Sequence, residues 1–205
     1  MFIKYLFILP ALATPAMADT YDVARVSAGD VLNLRADVLG YASPLDAEVI
    51  GTIPHDATGI RPAGRAIRFG DTVWREVIFD GQRGWVSSRY LEARFGTPAM
   101  PQALSCGGTE PFWGLQIDGS QGRLSDTEMP APLSVTLSDA QGAHGRTNIW
   151  AYYLQSADGH PLTAIVDYNQ SCSDGMSDVI YDYEVYLLGY QPQGAPVYGC
   201  CTVDR

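Results

Sequence analysis

Short apolar runs separated by glycine-bearing turns make up the hydropathy pattern of residues 19–94. Turn signals such as Gly70-Asp71 and Asp80-Gly81 lie between the runs, and the second suits a tight β-hairpin. No window shows a helical period over a useful length, although residues 87–91 fit a single closing turn of helix. This half is therefore predicted to be a small all-β barrel, with strands at residues 21–26, 31–35, 48–53, 59–62, 73–79 and 84–86.

A charge-free segment, residues 95–105, follows the first half and contains Gly96, Pro98 and Pro101, a composition typical of a linker. Strand signals then resume, and residues 179–186 alternate apolar or aromatic side chains with polar ones, as a half-solvated strand does. Residues 106–205 are therefore predicted to form a second β domain, either a sandwich or an open barrel. Its predicted strands are residues 114–117, 133–137, 148–154, 162–168 and 179–188.

The first 18 residues have the pattern of a secretory signal. Lys4 precedes an uncharged apolar run, and Ala16-Met17-Ala18 forms a small-x-small cleavage site. A retained membrane anchor is the alternative, but the run is interrupted by two prolines and is shorter than the roughly 20 apolar residues of a spanning helix. We therefore expect cleavage near Ala18, a periplasmic or secreted mature chain, and no stable membrane insertion.

Acidic residues outnumber basic ones along the chain, with 23 against 13 and a formal net charge of −10. Lys4 is the only lysine, so every basic residue of the mature chain is an arginine. A field of this sign repels nucleic-acid phosphates and anionic lipid headgroups. Nucleic acid is therefore excluded as a partner, and the charge itself is interpreted as a solubility feature.

Four cysteines, all in the second half, are expected to form disulfides after export to an oxidising compartment. Neighbouring Cys200 and Cys201 have Cα atoms about 3.8 Å apart, closer than the roughly 4.4–6.8 Å that a relaxed disulfide adopts. Each is therefore expected to pair with Cys106 or with Cys172, and both such connectivities stay open.

Four short motifs occur in order along the first half: L-N-L-R at residues 32–35, E-V-I-G-T-I at 48–53, W-R-E-V at 74–77 and G-W-V-S-S-R-Y-L at 84–91. On these motifs the first half resembles the bacterial SH3 (SH3b) family. The resemblance implies a barrel of five to seven strands that binds cell-wall peptides or glycans, or that targets and regulates an attached enzyme. The proline that usually follows the first motif is absent here, so the loop at residues 36–40 is expected to differ.

Trp74, Trp85, Asn33 and Arg35 are the candidate ligand-binding residues of the first half. Packing is the alternative role for both tryptophans, because aromatic side chains supply much of the buried area in small folds. Asn33 and Arg35 have an alternative role as structural hydrogen-bond partners. The core is predicted to consist of six apolar residues: Leu32, Leu34, Val49, Ile53, Val77 and Val86.

The second half opens with C-G-G-T-E-P-F-W-G-L-Q-I at residues 106–117, and it contains C-S-D-G-M-S-D at 172–178 and G-C-C at 199–201. On these motifs it resembles a family of uncharacterised bacterial envelope proteins and lipoproteins, which share a C-x-G-x-E-P-F-W opening and a G-C-C ending. The resemblance implies an envelope location and a disulfide-stabilised unit, and it brings no established reaction.

The cysteines and acidic residues of the second half have either a catalytic or metal-binding role or a structural one. Cys106 precedes G-G-T-E-P, which is a poor start for the helix that activates a peptidase cysteine, so a disulfide role is favoured. Asp174 and Asp178 lack the alternating spacing of a calcium loop, and a zinc site would need reduced thiols. No metal or cofactor is therefore predicted. Glu110, Trp113, Asp174 and Asp178 are kept as the candidate residues of a site in this half.

These observations favour a non-catalytic periplasmic or cell-envelope protein that binds or targets, with a peptidoglycan fragment or an envelope protein as its partner. An envelope enzyme or enzyme regulator that uses Glu110 and Asp178 is the first alternative. A thiol-disulfide redox sensor, in which Cys200 and Cys201 compete for one partner, is the second.

Overall fold

The structure, a computed structural model, describes residues 18–190 and 194–203. Residues 1–17, which carry most of the predicted signal segment, lie outside this range. The all-β prediction is confirmed, since strands account for 62% of the structure and helix for 3%. No helix within the described ranges is long and apolar enough to cross a membrane.

The first half contains seven strands, which form a five-stranded sheet and a two-stranded ribbon. The sheet has the order β3-β2-β6-β5-β4, and the ribbon is an antiparallel pair of β1 and β7. A bridge between Tyr21 and Ile60 joins the ribbon to the sheet, and the predicted closing turn is a short 3₁₀ helix at Ser88–Tyr90. The strands are β1 (Ala18–Val23), β2 (Val31–Arg35), β3 (Val49–Pro54), β4 (Arg61–Phe69), β5 (Thr72–Phe79), β6 (Gln82–Ser87) and β7 (Leu91–Phe95).

The core of the first half lies between the sheet and the ribbon, and five of its six predicted members are buried there. Val49 is the exception, with 43% of its surface exposed. The register between β2 and β3 shifts between Leu34 and Arg35, which places Ile50 against the core in place of Val49. A bulge of this kind turns the side chains beyond it to the other face of the sheet.

The second half is an eight-stranded antiparallel meander that closes on itself, because the last strand pairs with the first. The sequence favoured a sandwich or an open barrel; closure depends on β8 and β15, which are rich in glycine and cysteine and gave no strand signal. Large apolar and aromatic side chains fill the interior. The strands are β8 (Ala103–Thr109), β9 (Phe112–Asp118), β10 (Gln121–Asp126), β11 (Leu133–Gly142), β12 (Ile149–Ser156), β13 (Pro161–Ser173), β14 (Val179–Leu188) and β15 (Val197–Val203).

The two halves are joined by the pairing of one strand from each half, as well as by the connecting segment. The end of β14 beyond its pairing with β15 pairs antiparallel with β4, through residues 179–181 and residues 65–67. Ala63 and Ile78 of the first half are buried in the core cluster of the barrel. We call this junction the seam.

Gly64 allows the closest approach of backbones at the seam. Its φ is +101°, and a Cβ built there would lie 2.8 Å from the Cα of Thr202. Gly64→Ala is therefore expected to destabilise the protein by about 1–3 kcal/mol more than Gly40→Ala. Gly40 is the matched control, because its φ is +87° and a Cβ there would meet nothing within 4 Å. Urea denaturation of both variants measures the difference, and equal losses of stability would show that the close approach is unimportant.

Candidate functional site

The surface of the first half has a groove of about 770 Å³, which we call the first-half groove. Its walls are β2, the loop at residues 42–45, the turn at residues 69–72 and the 3₁₀ helix that follows β6. Asn33, Arg35 and Trp74 line it, so three of the four residues nominated from the sequence share one depression. Trp85, the fourth, is only 1% exposed and packs beneath this surface with Trp74, Val38 and Ala47.

Three arginines and one carboxylate line the first-half groove. The cations are Arg25, Arg35 and Arg89, and the carboxylate is Asp30, whose Oδ1 accepts a hydrogen bond from the amide of Val31. The groove therefore carries a formal charge of +2 within a chain whose formal charge is −10. A local field opposite in sign to that of the whole chain indicates a preference for an anionic ligand.

The backbone holds two of these arginines in place. Arg25 adopts a left-handed φ of 60° and donates from Nε to the carbonyl of Arg89 at 2.5 Å and from Nη2 to that of Leu91 at 3.0 Å. Arg35 donates from Nη1 to the carbonyls of Leu45 and Ala47, and so fixes the loop that forms one wall. Within the described ranges, both guanidinium groups bond to carbonyls and neither lies within hydrogen-bond distance of a carboxylate, so neither charge is neutralised.

Arg89 makes fewer described side-chain hydrogen bonds than Arg25 or Arg35. Its Nη2 lies 3.5 Å from Thr72 Oγ1, a long contact, and the residue is exposed. Neither Arg25 nor Arg89 carried a sequence signal, because both stand in irregular segments that only the fold brings together. Arg25 is also a backbone outlier, and such residues persist where the surrounding structure fixes them.

Trp113 of the second half is a packing residue in this structure. It is 5% exposed, and its Nε1 donates to the carbonyl of Tyr198 at 3.2 Å. A Cβ on Gly108 or on Gly199 would lie within 3 Å of the indole, so the two glycines leave the room that the ring occupies. The glycines of the C-G-G and G-C-C motifs thus allow the indole to lie against β8 and β15.

The other candidates of the second half do not converge on one site. Glu110 and Asp178 are exposed, and they line neither the first-half groove nor the seam cleft described below. Asp174 Oδ1 accepts from the amides of Met176 and Ser177, and its Oδ2 accepts from Tyr181 Oη. Burial acts to raise the pKa of Asp174, but these hydrogen bonds outweigh it and lower that pKa below its usual value.

Two disulfides join Cys106 to Cys201 and Cys172 to Cys200, and no cysteine is free. This selects one of the two connectivities left open by the sequence, and the bridges indicate an oxidising, extracytoplasmic environment. Cys200 and Cys201 are consecutive in a strand, so their side chains face opposite sides of β15. For Cys200 and Cys201 to exchange disulfide partners, β15 would have to rotate about its own axis so that its two faces swap. This weighs against the thiol-disulfide redox sensor.

Two buried charge clusters lie at the seam, and sequence reasoning missed both. In the first, Glu76 is 2% exposed and accepts from Arg65 at 2.8 and 2.7 Å and from Arg83 at 3.2 Å. In the second, Asp182 has no solvent exposure and accepts from Arg75 Nη1 at 2.7 Å. The sequence did contain a signal for these clusters: charged residues stand inside otherwise apolar strands, as in V-W-R-E-V-I-F and Y-D-Y.

Burial raises the pKa of Asp182 above its usual value, and the neighbouring Arg75 guanidinium offsets this only in part. Its Oδ2 is buried and has no hydrogen-bond partner among the described residues. The pair joins β5 of the first half to β14 of the barrel, so it stabilises their relative position. Buried carboxylates of this kind are costly when they lose their partner.

A second depression, of about 560 Å³, lies at the seam, and we call it the seam cleft. Arg65 and Arg83 come from the first half, and the remaining lining belongs to the barrel. The barrel contributes residues from three segments distant in sequence: residues 105–109, residues 174 and 181, and residues 200 and 202.

Comparisons with protein-family models, with curated proteins and with solved structures each gave no match for this chain.

Proposed function

We propose that this protein is a non-catalytic binding protein of the periplasm or cell envelope, and that its first-half groove binds a carboxylate-bearing ligand. Such a ligand is a cell-wall-derived peptide fragment or a segment of an envelope protein. The observation that carries the proposal is the cluster of Arg25, Arg35 and Arg89 in one groove of an otherwise acidic chain.

The chemistry of the groove favours binding over catalysis. Guanidinium groups recognise carboxylates through paired N–H donors, while the half-buried Phe69 and Tyr90 give the groove apolar contact area. Trp74 is 8% exposed and mainly packs in the core below the groove. Asp30 is the one carboxylate among the groove's lining residues, and neither histidine nor cysteine lies with it. The lining therefore offers no paired acid and base for a proton-transfer reaction.

Three sequence features support the envelope location. The N-terminal segment has the pattern of a secretory signal, the first half resembles bacterial SH3 domains, and the second half resembles envelope proteins. Wall-derived peptides carry free carboxylates, so a cationic groove on an exported acidic protein suits them as a ligand class.

Arg89→Gln is expected to weaken retention on purified peptidoglycan about tenfold, because a hydrogen bond to a charged group contributes about 1.5–3 kcal/mol. Arg123→Gln is the matched control: Arg123 is also exposed, and it lies on β10 of the barrel, outside the groove. The measurement is co-sedimentation of the mature chain with peptidoglycan over a range of salt concentrations.

Equal weakening by Arg89→Gln and Arg123→Gln would mean that net charge, rather than the groove, governs retention. Failure of the unmodified chain to sediment with peptidoglycan would overturn the wall-fragment form of the proposal. Muropeptide profiles of the same samples separate binding from catalysis, because only an enzyme changes the product pattern.

A further inference from the structure

The three cysteine motifs of the second half converge on the seam cleft. Its lining includes Cys106, Gly107, Gly108 and Thr109 from the first motif, Asp174 from the second and Cys200 from the last, together with Thr202, which directly follows the last motif. One cysteine of each disulfide thus lines the cleft, and Thr109 Oγ1 donates to the carbonyl of Asp174 at 3.0 Å. The bridges and this hydrogen bond fix three remote segments around one depression.

Glu76 lies on the buried side of the cleft wall and holds the guanidinium groups of Arg65 and Arg83 in place. It is almost fully buried, and its oxygens accept from Nε and Nη2 of Arg65 and from Nη1 of Arg83. Arg83 also donates to the carbonyls of Ala63 and Val203, and Arg65 lies 5.3 Å from the centroid of the Trp85 ring. Both arginines therefore have fixed positions before any ligand arrives.

Donors remain available on both arginines. The described hydrogen bonds leave Nη1 of Arg65 and Nε of Arg83 without an acceptor, and the two side chains are 23% and 30% exposed. Hydroxyl groups of Ser105 and Thr202 lie in the same lining, whereas the hydroxyl proton of Thr109 is already donated to the carbonyl of Asp174. Such a set of fixed N–H and O–H donors is suited to an oxyanion.

The charges at the cleft set a limit on the charge of its ligand. Two guanidinium groups against buried Glu76 leave one positive charge at the wall, and Asp174 places a negative charge in the lining. Asp37 lies 3.9 Å from Arg65 Nη2, but it is 56% exposed and so screened by water. With Asp174 included, the formal charges of Arg65, Arg83 and Glu76 sum to zero. A single negative charge is therefore held by the fixed N–H and O–H donors, whereas a second would meet the carboxylates.

We propose that the seam cleft is a binding site for a monoanionic carboxylate, assembled from both halves of the chain and independent of the first-half groove. The carboxylate accepts hydrogen bonds from Arg65 and Arg83, and the neighbouring hydroxyl groups bond to polar atoms of the ligand. The site exists only while β4 and β14 remain paired, because neither half contains both the arginines and the hydroxyl groups.

The test is a titration of the ¹⁵N-labelled mature chain with sodium acetate and, separately, with inorganic phosphate at about pH 8, where most of the phosphate is a dianion, with the ionic strength held constant by chloride. Saturable shifts of the amides of Gly107, Gly108, Thr109 and Thr202 are expected with acetate, and at least tenfold weaker ones with phosphate. Tighter binding of phosphate than of acetate would overturn the assignment of a monoanionic carboxylate.

Arg65→Gln is expected to weaken acetate binding at the cleft at least tenfold, while Arg89→Gln in the first-half groove leaves it unchanged. If Arg65→Gln fails to fold, Ser105→Ala and Thr202→Val are the deciding variants, and a three- to tenfold loss of acetate affinity is expected from each. The proposal would be overturned if the amide shifts were confined to the first-half groove or did not saturate. It would also be overturned if both hydroxyl variants bound acetate with unchanged affinity. Peptidoglycan retention tests the first-half groove, and acetate binding tests the seam cleft. The two proposals can therefore be refuted independently of each other.

Discussion

Arg75→Met is expected to lower the free energy of unfolding by about 3–5 kcal/mol at neutral pH, because it leaves Asp182 buried without its counter-ion. Asp182 has no solvent exposure, Arg75 supplies its one described hydrogen bond, and its second carboxylate oxygen has no partner among the described residues. Urea denaturation of the mature chain at pH 7 measures this loss. Arg68→Met is the matched control, since Arg68 is an exposed arginine on β4.

The loss caused by Arg75→Met is expected to shrink as the pH falls. Burial raises the pKa of Asp182 above the usual value of an aspartate, so the folded chain binds this proton more readily than the unfolded chain does. The cost of the buried charge is therefore complete above the folded-state pKa and diminishes as the pH falls through that pKa towards the unfolded value. Without Arg75 the folded-state pKa rises further, which widens this window.

The double variant Arg75→Met/Asp182→Leu is expected to recover most of the stability lost in Arg75→Met, because it removes the unpaired charge. A loss below 1 kcal/mol at neutral pH would contradict the argument, as would one that stays constant between pH 7 and pH 4.5. Equal effects of Arg75→Met and Arg68→Met would point to lost side-chain packing rather than to the buried carboxylate.

Removal of the Cys106–Cys201 bridge by a double alanine substitution is expected to cost about 4.7 kcal/mol in the chain-entropy model. The two cysteines are 95 residues apart, and the bridge joins the first and last strands of the barrel. Cys172 and Cys200 are 28 residues apart, so removal of their bridge is expected to cost less, about 3.6 kcal/mol. That double variant is the matched control, and denaturation without reductant compares the two.

The order of the two losses is the decisive outcome. A greater loss on removal of the Cys172–Cys200 bridge would show that native packing around that bridge outweighs loop length. Loss of the folded state in the Cys106/Cys201 variant alone, with the other variant still folded, would agree with the expected order.

Local pattern was sufficient to locate the strands that alternate or are continuously apolar, such as β2, β5 and β14. It failed for β8 and β15, where glycines and cysteines make room for the Trp113 indole and for the disulfides. It also failed at Val49, because the bulge at the neighbouring residue of β3, Ile50, decides which residue faces the core. Closure of the barrel was beyond local pattern, since it depends on pairing between its first and last strands.

The residues of the candidate sites likewise divide into those that local pattern identified and those that only the fold brings together. Asn33, Arg35 and Trp74 were identifiable because they stand in regular strands, and the structure places all three at the first-half groove. Arg25 and Arg89 were not, because their side chains meet only through a turn and a 3₁₀ helix 64 residues apart. The seam cleft was least accessible to sequence reasoning, because its arginines and hydroxyl groups come from different halves of the chain.

The pairing of β4 with β14 bears on how this protein can be divided for experiments. A fragment that ends near residue 94 would keep Arg75 without its carboxylate and would leave the edge of β4 unpaired and open to another chain. A fragment that begins near residue 106 would expose Asp182 at the free edge of β14. We therefore expect the isolated halves to associate with each other or to aggregate, and the mature chain to unfold in one cooperative step.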